Sequence, residues 1–133
     1  MTNYHYFNGT AEFYQNRKPD EYGNYKLLLK FDDPEDYIKS GIQVTMTEDG
    51  CVWFRRPDVK LIKGSLETLG QPETVIDDEE GNAQPFTQLV GKGSKVVAKV
   101  RSYDTTKGTG HTLDAVKIIE LVPVPHSGEF HNF

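Results

Sequence analysis

The feature that most constrains the fold is an alternating segment, residues 94–103, followed by a polar turn and a second apolar segment, residues 112–122. In the first segment the even positions hold small side chains, Val96, Ala98, Val100 and Ser102. The odd positions hold Lys95, Val97, Lys99, Arg101 and Tyr103. A period of two with one apolar side is typical of an antiparallel strand with one buried face. The sequence therefore predicts a hairpin whose outer face carries cations and an aromatic ring.

Other strands are predicted by the same alternation at residues 10–16, 25–31, 42–46 and 51–56. In the first of these, Ala11 and Phe13 are expected in the core and Tyr14 on the surface. The second is expected to bury Tyr25, Leu27, Leu29 and Phe31. A short helix should begin near Asp33 and Pro34 and end at Gly41. Residues 57–85 read as one or two short strands within loops.

This pattern favours an all-β fold, a five-stranded antiparallel barrel with one short helix and long loops. A chain of 133 residues without a long polar run is expected to form one domain, residues 1–122, with a tail, residues 123–133, that begins at Pro123. The single cysteine excludes an internal disulfide and fits a reducing compartment. Because neither a signal peptide nor a membrane span is visible, we expect a cytoplasmic protein.

Charge is segregated along the chain, although its net value is −5. Residues 73–80 hold five acids and no cation, whereas residues 92–101 hold four cations and no acid. Residues 55–63 are also mainly basic. This segregation predicts a locally positive groove on an acidic protein. Ordinary solvated strand faces are the alternative.

Enzyme motifs are missing from the sequence. Residues 91–95 resemble a phosphate loop but lack its first glycine and precede a strand instead of a helix. Cys51 and the histidines show no metal-ligand spacing, and no nucleophile elbow occurs. We therefore expect a protein that is not an enzyme and that needs no metal or cofactor.

The remaining constellation is cations interleaved with aromatic rings on strands. Single-stranded nucleic acid is bound by this combination, because cations track phosphates and flat rings stack on bases. The candidate nucleic-acid-binding residues are Tyr14, Lys26, Lys30, Trp53, Arg55, Arg56, Lys95, Lys99, Arg101 and Tyr103. Two plainer alternatives stay open: Trp53 could be a core residue, and the lysines could protect edge strands from aggregation.

The C-terminal part of the chain carries a family resemblance. Residues 89–97, with a Gly-Lys-Gly-Ser turn, lead into the basic strand, and residues 113–121 form a leucine-rich last strand. An acidic, glycine-containing loop, residues 77–82, precedes them. In these features the chain resembles phage-encoded single-stranded DNA-binding proteins with an OB fold. The resemblance implies an OB-fold-like barrel that coats exposed DNA during replication, recombination or repair in the host cytoplasm.

The resemblance also implies a C-terminal tail that recruits replication proteins and competes with DNA. Glu129, Phe130 and Phe133 are the corresponding residues, but Glu129 is the tail's only acid. Two other functions remain open: a structural or protein-interaction barrel module of a phage, with a possible homo-oligomer, and a hydrolase with carboxylates at residues 77–80.

Overall fold

A seven-stranded mixed β-sheet is the main element of the computed structural model, which describes residues 2–124. The elements are β1 (Thr2–Gln15), β2 (Asn24–Phe31), α1 (Pro34–Ser40), β3 (Cys51–Pro57), β4 (Val59–Ile62), β5 (Ser65–Thr68), β6 (Glu73–Asp77), β7 (Ala83–Pro85), β8 (Ser94–Thr105) and β9 (Gly108–Glu120). The strand order of the large sheet is β3-β2-β1-β8-β9-β6-β7, and β4 and β5 form a separate hairpin. Within residues 2–124, no helix has the length and apolar character needed to span a membrane.

Strands β2 and β8 follow the predicted alternation. Strand β2 buries Tyr25, Leu27, Leu29 and Phe31, and β8 buries Val96, Ala98, Val100 and Ser102. The core also contains an aromatic cluster of Phe7, Phe31, Tyr37 and Phe54, whose ring centroids lie 5.1 to 6.0 Å apart. It shares that core with Leu27 and Leu29 of β2 and with Val96, Ala98 and Val100 of β8. The periodicity that predicts these strands is therefore the one that forms the core.

Strand β1 is interrupted by an irregularity that reverses its faces. The register with β2 shifts between Ala11 and Phe13, as at a β-bulge. Before the shift Ala11 points into the core; after it Tyr14 does, and Phe13 becomes 44% exposed. The prediction of Phe13 as core and Tyr14 as surface is wrong, because one extra residue moves every later side chain to the opposite face.

Gly9 lies where β1 is shared between its two neighbours. It is opposite Phe31 of β2 and Val96 of β8. A Cβ atom at Gly9 would lie 2.3 Å from the carbonyl oxygen of Lys30. Glycine thus lets the two halves of the sheet approach at this point.

The prediction of a closed five-stranded antiparallel barrel is wrong in its strand count and pairing. Strand β3 approaches β9 through a hydrogen bond from the Arg55 backbone N–H to Nε2 of His111, 3.0 Å long. Further along β9, strand β6 pairs in parallel from Glu73 opposite Ala115 to Ile76 opposite Ile118. The segment after β3 therefore adds a hairpin and two strands, and the all-β architecture with one short helix remains consistent with an OB-like fold.

Helix α1 forms as predicted, but the strand predicted after it does not. The Asp33 side chain accepts a hydrogen bond from the Glu35 N–H, and Gly41 ends the helix with φ of 78°. Residues 42–46 have no strand pairing. Ile42 is buried and Val44 and Met46 pack on the core. The apolar alternation there reflects loop packing against the core.

Candidate nucleic-acid interface

An aromatic and cationic surface lies on the outer side of β2, β3 and the end of β1. Phe13 is opposite Leu28, and Leu28 is opposite Trp53. Lys26 is opposite Arg55 in the adjacent row. Residues directly opposite in an antiparallel pair project from the same face. We call this surface the β2–β3 face; its residues are Phe13, Lys26, Lys30, Trp53 and Arg55.

The rings and one cation of this face are in contact. The ring centroids of Phe13 and Trp53 lie 5.8 Å apart at an interplanar angle of 64°. The Lys26 ammonium lies 5.3 Å from the Trp53 centroid and 5.8 Å from that of Phe13, within cation–π range. Asp20 holds the same ammonium at 3.2 Å. The face therefore offers rings beside positive charge.

Both plainer explanations fail for this face. Trp53 lies half-buried on the outer side, across from Leu28, so it is not a residue of the core. Lys26 and Lys30 belong to β2, which is paired on both sides by β1 and β3. Protection of an edge strand therefore does not account for these lysines.

Arg56 projects to the opposite side from Arg55 and acts as a structural clamp. Its guanidinium donates to the carbonyl oxygens of Leu69 and Gly70, each at 2.9 Å, and to that of Leu113 at 3.2 Å. It also pairs with Asp114 at 3.3 Å. The prediction of Arg56 as a phosphate contact is not supported, because its donors already bind the chain's own groups.

Tyr14 is likewise unavailable to nucleic acid. Its ring is buried, and its hydroxyl lies 2.8 Å from the Thr74 hydroxyl. Burial raises the pKa of Tyr14 far above its usual value, more than the Thr74 hydrogen bond and the Arg56 charge lower it. The shift in β1 is the reason, since it turns Tyr14 inward and presents Phe13 in its place.

The predicted residues of β8 form a second group. Lys95, Lys99, Arg101 and Tyr103 lie on the outer face of β8, as expected. Lys99 is opposite Tyr6, and its ammonium lies 5.1 Å from the Tyr4 ring centroid. Lys95 pairs with Asp32 at 3.5 Å between exposed side chains. This group contacts the N-terminal half of β1, whereas the β2–β3 face involves the other half.

Next to this group, the β4–β5 hairpin and the sheet enclose a cleft of about 400 Å³. We call it the hairpin cleft; it is lined by Thr2, Lys60, Leu61, Ile62, Lys63, Leu69, Arg101 and Tyr103. The Lys60 ammonium lies 2.9 Å from the Tyr103 hydroxyl and 4.3 Å from the ring centroid. Burial alone would raise the pKa of Tyr103, but the hydrogen bonds from Lys60 and Thr112 and the nearby positive charges lower it.

Sequence reasoning missed Phe13 on one surface and Tyr4, Tyr6 and Lys60 on the other. The alternation Tyr4-His5-Tyr6-Phe7 signals that β1 begins well before residue 10. No comparable signal marks Phe13, because a shift within a strand leaves the composition unchanged. Lys60 reaches Tyr103 only through the folding of the hairpin.

His111 connects β3 to β9 beside Arg55. Its Nε2 must be unprotonated to accept the Arg55 N–H, and its ring packs edge-on against Phe54 with centroids 5.6 Å apart. Burial, together with the Arg55 charge, lowers the pKa of His111 to about 4. The neutral imidazole is therefore part of the fold near neutral pH.

The predicted tail residues, Glu129, Phe130 and Phe133, lie outside the described residues. In the part of the chain that is described, no group of three or more His, Cys, Asp or Glu side chains is placed to hold a metal ion. Asp77, from the acidic segment considered for a hydrolase, pairs with Lys117 at 3.1 Å. Asp78 accepts hydrogen bonds from the Glu80 and Asn82 N–H groups in a turn.

Comparison with known proteins gives a structural match. No family model matches the chain, and no curated protein matches its sequence. The fold is similar to that of gp2.5, a single-stranded DNA-binding protein encoded by bacteriophage T7, with a TM-score of 0.63 and 19% sequence identity over 97% of this chain and 92% of that one. The resemblance found in the sequence is thereby confirmed at the level of the fold: this chain folds like a phage single-stranded DNA-binding protein.

Proposed function

We propose that the protein binds single-stranded DNA largely without sequence specificity and performs no catalysis. The observation that carries this proposal is the contact between Trp53, Phe13 and the Lys26 ammonium on an outer sheet face. Stacking of a base on an aromatic side chain contributes about 1–3 kcal/mol and tolerates every base, because every base has a flat face. The fold shared with gp2.5 supports the same function.

The cations around the two rings have distinct tasks in this proposal. Arg55 is exposed and follows Trp53 by two residues on the same face of β3. It therefore meets a phosphate next to the base that stacks on Trp53. Lys30 is exposed further along β2 and extends the positive path past the rings. The Lys26 ammonium binds a phosphate either in place of Asp20 or in addition to it. The face thus binds the backbone by charge and the bases by stacking.

The cellular role proposed from this activity is protection of exposed DNA strands during replication, recombination or repair in the cytoplasm of a phage host. The tail residues Glu129, Phe130 and Phe133 are proposed to contact replication proteins. These roles rest on the family resemblance and on the shared fold.

Fluorescence of the lone Trp53 tests the proposal directly. Adding oligo-dT at low salt is expected to quench it, and the association constant should fall with salt by a log–log slope of roughly −0.7 per phosphate neutralised. The variant Lys26→Gln/Arg55→Gln should reduce the slope by roughly 1.4. The matched control Lys39→Gln/Lys92→Gln removes the same charge from exposed lysines outside the face and should keep the slope. Absence of quenching at low salt, or a flat salt response, refutes the proposal.

A second candidate, an interaction module that self-associates, is favoured by the β4–β5 hairpin. Leu61 and Leu66 lie opposite each other there, and both are exposed. Under this alternative, Leu66→Ser would reduce an oligomer measured by sedimentation and leave DNA affinity unchanged.

A further inference from the structure

The hairpin cleft is positively charged. Among the described residues, Lys60, Lys63 and Arg101 line it and no carboxylate does; the exposed Glu67 is opposite Lys60 in the hairpin but is not part of the lining. Asp114 pairs with Arg101 at 3.3 Å, but it pairs with Arg56 at the same distance. One carboxylate therefore faces two guanidinium groups, and a positive charge remains beside the cleft. An anion is the complementary ligand.

The cleft also presents flat and apolar surface. The Tyr103 ring forms part of the lining, together with Leu61, Ile62 and Leu69. The Lys60 ammonium is held at the Tyr103 ring and hydroxyl. Its position is therefore set before any ligand arrives, so that less side-chain entropy is lost on binding.

Two more tyrosines continue this surface along β1. Thr2 is opposite Tyr103, Tyr4 is opposite Arg101, and Tyr6 is opposite Lys99. Tyr4 and Tyr6 are 55% and 60% exposed. Rings and cations thus alternate from the cleft across the outer face of β1 and β8, which is the composition of a stacking platform with a charged path.

The hairpin cleft, at the start of β1, is distant along that strand from the aromatic pair of the β2–β3 face. Thr2 and Phe13 are separated by about 35 Å of strand at the usual rise per residue, although β1 bends between them. Four nucleotides span about 14 Å at a stacked rise of about 3.4 Å each. A stacked tetranucleotide held in the hairpin cleft at Thr2 therefore covers less than half of this length of β1 and does not follow the strand as far as Phe13.

We propose that the hairpin cleft, with Tyr4 and Tyr6, is a second site for single-stranded nucleic acid, separate from the β2–β3 face. Lys60 and Lys63 bind a phosphate, and a base packs on the tyrosine rings. A cleft of about 400 Å³ falls in the size range of small-ligand sites and can enclose one nucleotide. This inference rests on the proposed function, since it assigns a second surface to the same ligand class.

Titration with the tetranucleotide dT4 in low salt separates the two sites. Calorimetry on the wild type is expected to give two equivalents, while quenching of Trp53 reports the β2–β3 face. In Lys60→Gln/Lys63→Gln one equivalent should remain, with the Trp53 quenching curve unchanged. Lys60→Arg/Lys63→Arg restores the charges and should restore the second equivalent. The control Lys39→Gln/Lys92→Gln should keep two.

An independent variant guards against a folding defect in the hairpin. Tyr4→Ala truncates an exposed ring and should weaken the second equivalent at least fivefold, because loss of a stacked base costs about 1–3 kcal/mol. The first equivalent and the Trp53 quenching should not change. A second equivalent that survives in both variants overturns the inference.

Other outcomes identify which proposal fails. One equivalent in the wild type with normal Trp53 quenching removes the second site and leaves the proposed function intact. No uptake of dT4 and no quenching removes both. If a Glu- and Phe-containing peptide binds the wild type but not Lys60→Gln/Lys63→Gln, while dT4 gives one equivalent, the cleft is a peptide site and the inference is wrong.

Discussion

Replacing Arg56 by alanine should destabilise the protein strongly while leaving its DNA contacts in place. The side chain is only 13% exposed and donates to Leu69, Gly70, Leu113 and Asp114. Hydrogen bonds from a charged donor contribute about 1.5–3 kcal/mol each when intact. In the variant, water can bind the freed carbonyl oxygens, and Arg101 still pairs with Asp114. The loss is therefore smaller than the sum of the individual hydrogen bonds. We expect a loss of about 3–5 kcal/mol, the range for breaking a buried ion pair.

Arg55 provides the matched comparison one residue away. Its side chain is exposed, so Arg55→Ala should change the free energy of unfolding by about 0.5 kcal/mol or less. The same variant should weaken binding of oligo-dT and reduce the salt slope by roughly 0.7. Arg56→Ala should keep the wild-type slope at a temperature where it is folded.

Urea denaturation measures the free energy of unfolding, and fluorescence anisotropy of labelled oligo-dT measures DNA binding and its salt slope. A loss of about 3–5 kcal/mol corresponds to a melting temperature about 11–18 °C lower for a domain of this size. An Arg56→Ala protein with wild-type stability and a reduced salt slope would refute the assignment of the two arginines.

Three further outcomes test the geometry. Tyr14→Phe should lose about 1 kcal/mol of stability, because the hydrogen bond to Thr74 disappears, and oligo-dT affinity should not change. The folded-state pKa of His111, about 4, lies below its ordinary value of 6.5. The contribution of neutral His111 to stability is therefore complete above about pH 6.5 and is lost as the pH falls toward 4. In urea titrations at a series of pH values, His111→Gln should lack the loss of stability that this protonation causes. Gly9→Ala should lower the melting temperature measurably, since its Cβ would meet a β2 carbonyl oxygen, and an unchanged melting temperature would contradict that contact.

Regular strands were predictable because their core faces repeat with a fixed period. The buried side of β2, from Tyr25 to Phe31, and that of β8, from Val96 to Ser102, follow from alternation alone. The cap at Asp33 and the glycine at Gly41 likewise marked the ends of α1. These signals are local, so no tertiary information was needed to read them.

Features that depend on distant partners could not be read in this way. The strand predicted at residues 42–46 is a loop that packs on the core, because a strand needs a neighbour to pair with and an apolar loop does not. The parallel pairing of β6 with β9 joins segments far apart in the chain. The periodicity of a segment does not show whether it will find a strand to pair with, or whether that pairing will be parallel.

The candidate site shows the same division. The sequence by itself determined that the chain is built mainly of strands, that β2 and β8 carry cations outward, and that aromatic rings stand near those cations. Tertiary structure alone decided that Phe13 replaces Tyr14 on the surface, that Arg55 faces outward while Arg56 clamps the chain, and that Lys60 meets Tyr103. The physical reason is that side-chain direction reverses with one irregular residue, and a guanidinium binds whichever acceptors the folded chain brings to it.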